Sequence, residues 1–155
     1  MYWMAFYRGR GRFFTDTIPR IVTQSEFSHC ELLRSDTEPQ FGETHLCGSA
    51  SVREGGVRAR EITFREGRWE FCPVPWAPEN AWDVIGDNAG RRYDLLGLAM
   101  THFFNFRIHS KSRWFCSEIC AHALGLSSAH SYAPGDLHRI VKEMNVVFAR
   151  GCARR

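Results

Sequence analysis

The hydrophobic pattern of this chain changes period near Pro78. Before it lie short apolar runs separated by turn residues, and after it stretches with apolar residues three and four apart. Ser28–Arg34 (SHCELLR) reads as a strand with His29 and Glu31 on one side and Ser28, Cys30 and Leu32 on the other. SDTEPQFGE is turn chemistry, and Thr44–Val52 (THLCGSASV) predicts a second strand pairing with the first. REGG breaks it, VRAREITF predicts a third strand with Val57, Ala59 and Glu61 alternating against Arg58, Arg60 and Ile62, and WEFCPVP a fourth closed by Pro73 and Pro75. Beyond Pro78, APENAWDVIGDNAG predicts a short helix. RRYDLLGLAMTHFF predicts another, with Tyr93, Leu96, Leu98, Met100, Phe103 and Phe104 on a broad apolar face. Arg107–Arg113 reads as a polar, basic loop, and Trp114–Gly125 (WFCSEICAHALG) is the strongest helix, closed by Gly125. YAPGDLHRIVKEMN predicts a turn and final helix, and VVFARG a last strand. Ahead of all this, Met1–Arg12 is an aromatic-rich lead-in punctuated as a loop by RGRG. A helix is expected from Phe13 to about Thr23, capped by Thr15 or Asp16. Strands first and helices after predict an α+β fold with a small antiparallel sheet rather than a parallel α/β one.

The 155 residues are expected to form a single domain spanning 1–155, large enough to fold without a metal or disulfide staple. Hydrophobic residues at 44% and charged ones at 24% exclude a disordered, collagenous or coiled-coil chain. No apolar run is long enough to span a membrane, and the start lacks the apolar core and small-residue cleavage site of a secretory signal, so a cytoplasmic protein is expected. Of the 20 basic residues, 18 are arginine, but they are spread along the chain and interspersed with 17 acids, which argues against a nucleic-acid partner.

Six cysteines (Cys30, Cys47, Cys72, Cys116, Cys120, Cys152) would suggest a disulfide framework in a short secreted chain; here reduced thiols are expected. Cys116 stands out because it falls at the first turn of a helix after a polar basic loop. Unsatisfied N–H groups and the positive end of the helix dipole favour a thiolate there and can hold an oxyanion. A thiolate nucleophile needs a base or cationic partner, and His29, at the start of a short strand, is the candidate. His45 lies on the same side of its strand as Cys47 and is a secondary candidate. Cys120, one turn beyond Cys116, reads as a core residue.

The pair SHCEL early and FCSEICAHALG late resembles the circularly permuted members of the NlpC/P60 papain-like superfamily, the YiiX-like cysteine hydrolases, in which the histidine strand precedes the nucleophile helix. The stretch SASVREGGVRAREI, the YDLLGL segment and the YAPGDL turn also look like small phage and prophage proteins of that superfamily, which would put the chain in a host cytoplasm. The resemblance covers about Ala5 to Ile140 and rests on short motifs in the right order, 87 residues apart. It implies a permuted papain-like fold, a sheet packed on the nucleophile-bearing helix, and a Cys116–His29 pair. Family members carry a Glu on the adjacent strand, where this chain has Gly48-Ser49-Ala50. The resemblance therefore implies Ser49 in the orienting position, a departure from the acid, with Glu31, Glu54 and His45 as alternatives. The implied mechanism is attack of the Cys116 thiolate on an amide, ester or thioester carbonyl, with His29 protonating the leaving group and the Cys116 N–H as one oxyanion donor. Ser117 and Glu118 would cap and charge the first turn, and Tyr93, Asp94 and Trp114 would line the cleft. The superfamily's substrates point to a peptidoglycan peptide or another amide or ester, and no cofactor is implied.

Two other readings compete. A papain-like domain without catalysis could use its cleft to bind, as a virion or host-interaction component, and the serine at Ser49 favours this. A zinc-binding module could draw on Cys116, Cys120, His122, His45 and Cys47, although paired CxxC motifs are absent and Cys120 and His122 fall on different helix faces.

Overall fold

The computed structural model describes residues 1–9, 26–93 and 113–153. Within them the chain is α+β. A sheet of seven strands carries helices on one face. The strands are β1 (Tyr2–Tyr7), β2 (His29–Arg34), β3 (Thr44–Ser51), β4 (Gly56–Thr63), β5 (Trp69–Pro73), β6 (Arg92–Tyr93) and β7 (Arg113–Trp114). The helices are α1 (Ala81–Asp87), α2 (Cys116–Ala123) and α3 (Pro134–Cys152), with one 3-10 turn at Ala129–Ser131. Sheet order is β5-β1-β2-β3-β4-β6-β7. The five long strands pair antiparallel throughout, as expected, while the short β6–β7 pair is parallel. Among the described residues no helix is long and apolar enough to cross a membrane.

Tyr2–Tyr7 is a full strand where an irregular lead-in was expected. It is held between β2 and β5 and buried on both faces, with Tyr2, Met4 and Phe6 toward the helices and Trp3 and Ala5 toward the opposite side. A strand covered on both faces shows a continuous apolar run instead of an alternating one. VVFARG continues α3 to Cys152 and is not a strand. Strand propensity of Val146 and Val147 is a weak bias that tertiary context overrides. That context includes Asn145, whose side chain accepts from Trp76 Nε1 (2.7 Å) and donates to the Pro73 carbonyl (2.8 Å), fastening the middle of α3 to the end of β5. The helices expected over Phe13 to Thr23 and over the RRYDLLGLAMTHFF segment lie outside the described residues, except that Arg92–Tyr93 forms β6.

The main core lies between the sheet and the helices. Phe6, Cys30, Leu32, Ala50 and Val57 from the strands meet Ile85 of α1, Ile119, Cys120 and Ala123 of α2, and Leu137 and Val141 of α3. Trp3, Ala5, Leu33, Cys47 and Phe64 form a smaller cluster on the opposite face, closed by Ile62, Trp69 and Phe71. Helix α2 packs across β2 and β3, which brings its first turn to the start of β2. Its other end stops as expected. Gly125 takes a φ of 71°, and the amides of Gly125 and Leu126 cap the carbonyls of His122 and Ala121. At Gly56 the Arg91 carbonyl oxygen lies 2.0 Å from where a Cβ would sit, so only glycine lets that loop close against β4.

Candidate active site

Cys116 is the first residue of α2, after Phe115 in extended conformation, so its N–H has no acceptor within the helix and the positive end of the dipole falls on its sulfur. It is buried, 4% exposed. Around it converge the imidazole of His29 and both the thiol and the backbone N–H of Cys30, all from the first two residues of β2. The two motifs singled out in the sequence therefore meet. The hydrogen bond from the Cys30 thiol is the largest influence on Cys116. It and the charge on His29 hold the Cys116 thiol well below its ordinary value of 9.0, although burial pulls the other way. Cys30 itself is pushed up, first by burial and then by its bonds to Cys116 and Cys120, so it stays a protonated donor.

On its other side His29 presents Nε2 to Glu31 Oε1 at 2.7 Å. Burial alone would depress this imidazole, but the negative charges of Cys116 and Glu31 carry it from 6.5 up to about 10, and it is a cation at neutral pH. Glu31 is fully buried and is gripped by Arg58 of β4 in a bidentate fork, Nη1 to Oε2 at 2.7 Å and Nη2 to Oε1 at 2.5 Å. Burial would raise Glu31, but the Arg58 bonds and then the charge on His29 outweigh it, and its carboxyl stays below the ordinary 4.5. Arg58 in turn bonds Glu54, which also holds Arg60. The charges alternate along a line: Cys116 thiolate, His29 imidazolium, Glu31 carboxylate, Arg58 guanidinium.

Ser49 does not hold the imidazole. Its hydroxyl donates to the Cys30 carbonyl at 2.7 Å, and the Cys120 sulfur lies 4.0 Å from it. The reason lies in the ladder: β2 and β3 pair through Leu32–Gly48 and Leu33–Cys47, and where that pairing stops the Ser49 hydroxyl satisfies the strand carbonyl. Of the alternatives, Glu31 reaches the ring. Glu54 is occupied by arginines, and His45 bonds Glu43 at 3.0 Å and stacks on Phe64, in the cluster on the far face of the sheet. Trp114, expected in the cleft, is buried in the core with its ring stacked on His122 at 5.2 Å. Tyr93 lies in β6, and Asp94 is outside the described residues. Ser117 does not cap α2; its hydroxyl donates to the Tyr132 carbonyl at 2.5 Å, tying the helix to the following turn, while Glu118 is buried in the first turn. Arg58 and Cys30 were not legible as site residues. An arginine in an alternating strand and a cysteine on an apolar strand face carry no signal until the neighbouring strand and the helix end are in position.

The ligand set on which the competing zinc reading could draw is not assembled. Cys116 and Cys120 point into the helix–sheet core, His122 is exposed beside Trp114, and His45 and Cys47 belong to the far face. Among the described residues the one group of three metal-ligating side chains is a different one, Glu70, Cys72 and His138. Comparison of the whole chain with protein-family models and with curated proteins finds no match.

Proposed function

We propose that the chain is a cysteine hydrolase of the permuted papain-like type, acting on an amide or ester through an acyl-thioester on Cys116, with a cell-wall peptide as the favoured substrate class. The single observation that carries this reading is the imidazole of His29 held between the Cys116 sulfur and the Glu31 carboxylate. Glu31 occupies Nε2, so Nδ1 is the ring nitrogen that serves the sulfur. The thiolate attacks the carbonyl carbon, and the developing oxyanion takes a hydrogen bond from the Cys116 N–H at the helix end. His29 gives its proton to the leaving nitrogen or oxygen, the C–N or C–O bond breaks, and the acyl group remains on sulfur. Neutral His29 then takes a proton from water as it attacks the thioester, and thiolate and imidazolium are restored. Glu31 stabilises the imidazolium and fixes its ring, a task the Ser49 hydroxyl could not perform. The non-catalytic reading drew its support from a serine in place of that acid, and the carboxylate supplied by Glu31 removes this ground.

Trapping the acyl-enzyme tests the reading. Incubated with activated esters and with peptide amides and quenched in acid, the protein is expected to carry the acyl mass on the Cys116 peptide, and Cys116→Ala to carry none. Acylation confined to the exposed Cys152, or equal across the thiols, would refute it.

A further inference from the structure

Away from the Cys116 site, we propose that Glu70, Cys72 and His138 form a binding site for a divalent ion of the zinc class, clamping α3 to the edge strand β5. Glu70 and Cys72 are two apart on β5 and so share the face that meets α3, while His138 lies just beyond the first turn of that helix. Their ligand atoms, a carboxylate oxygen, a sulfur and an imidazole nitrogen, all lie within 4.8 Å of one another. Tetrahedral zinc requires separations of about 3.3–3.8 Å, so the hydrogen-bonded His138–Glu70 pair, at 2.7 Å, would open slightly while the Cys72 sulfur adjusts to complete the geometry. The donor set selects the metal: a thiolate with an imidazole suits zinc or its spectroscopic substitute cobalt and disfavours calcium and magnesium. Three protein ligands leave a fourth position for water.

The surroundings fit a bound ion. Cys72 is 3% exposed, and the His138 ring is walled by Phe6 and Phe27 at centroid distances of 4.9 and 4.4 Å, an apolar shell that limits water. Arg8 Nη2 bonds the second oxygen of Glu70 at 2.5 Å, orienting the carboxylate so that Oε1 faces the other ligands. On that same Oε1 converge His138 Nε2 at 2.7 Å and Lys142 Nζ at 2.8 Å. The ammonium, one helical turn beyond His138, stands where an ion would draw on the carboxylate. Its side chain is 58% exposed and can swing into solvent, so Lys142 competes with the ion instead of barring it.

A cobalt(II) titration of the intact protein, followed by the thiolate-to-cobalt charge-transfer absorption, decides the matter. The wild type is expected to saturate at one equivalent, and zinc to displace the cobalt. Cys72→Ser should abolish the absorption, and Cys116→Ser should leave it unchanged, which separates this site from the one proposed for hydrolysis. Lys142→Met, an exposed change that need not disturb folding, should tighten cobalt binding about tenfold by removing the competing charge. No charge-transfer band in either wild type or Lys142→Met, or a band that survives Cys72→Ser, would overturn the proposal.

Discussion

Replacing His29 by alanine is expected to lower amide turnover by about three orders of magnitude while lowering alkylation of Cys116 at pH 6 by only about 20-fold. The two numbers differ because the imidazole does two jobs. As a cation it helps hold the thiolate, and without it the Cys116 thiol moves back toward its ordinary 9.0, where roughly one molecule in a thousand is ionised at pH 6. A more basic thiolate is intrinsically a better nucleophile, which offsets part of that loss in simple alkylation. The hydrogen bonds from Cys30, of which the thiol's is the largest influence on Cys116, remain and offset a further part. Turnover also needs a proton delivered to the leaving nitrogen, the task assigned to His29 in the proposed mechanism. Equal losses in the two assays would mean that the imidazole only tunes the thiol and does not act as the acid. An unchanged alkylation rate would mean that it does not touch the thiol at all.

Replacing Glu31 by alanine is expected to cost about 3–5 kcal/mol in folding stability, the larger part from the arginine it leaves behind. Glu31 has no exposed surface, and Arg58, whose side chain is 15% exposed, gives it two parallel hydrogen bonds. Removing the carboxylate leaves a mostly buried guanidinium with Glu54 as its remaining counter-charge among the described residues, and leaves the His29 cation with one of its two anionic neighbours, Cys116. Glu31→Gln keeps an acceptor for both partners and should lose less. The pH dependence has a sign. A carboxyl lowered by folding contributes stability that is present above its ordinary 4.5 and lost as pH falls through the folded value, so wild type should weaken in acid more steeply than Glu31→Gln. His29 works in the other direction: its raised value contributes stability below 6.5 that is lost as pH rises through about 10. Urea midpoints across pH measure both. A Glu31→Ala protein within about 1 kcal/mol of wild type would contradict the buried pairing.

Local signals accounted for the parts of this molecule in which one element decides the outcome. The turn chemistry between Arg34 and Thr44, the alternation of β4 and the Gly125 stop of α2 are each written in a few adjacent residues. Cys116 was legible because a helix start marks itself, and His29 because it opens a short strand. Strand β1 was missed because burial on both faces erases the period-two signal that marks a half-buried strand. The end of α3 was missed because Val146 and Val147 favour strands locally, and the bonds of Asn145 to Trp76 and Pro73 span 69 and 72 residues of chain. The orienting residue was placed by resemblance at Ser49, yet it lies two positions beyond His29 on the same strand face, where the ring and the carboxylate meet without any change of strand. What could not be read was that the β2–β3 ladder ends early, which turns the Ser49 hydroxyl toward a backbone carbonyl, and that Arg58 arrives from β4 to keep Glu31 ionised.

The most direct test of the central claim is the rate of Cys116 alkylation by iodoacetamide followed between about pH 4 and 11, with Cys152 as the exposed internal reference. An ion pair between Cys116 and His29 predicts two inflections. Reactivity should rise well below pH 9.0, where the thiol ionises beside the imidazolium, and should change again near pH 10 as His29 loses its proton. Cys116 should react faster than Cys152 throughout the neutral range. A single inflection near pH 9.0, the same in wild type and His29→Ala, would show an ordinary buried thiol and contradict the account.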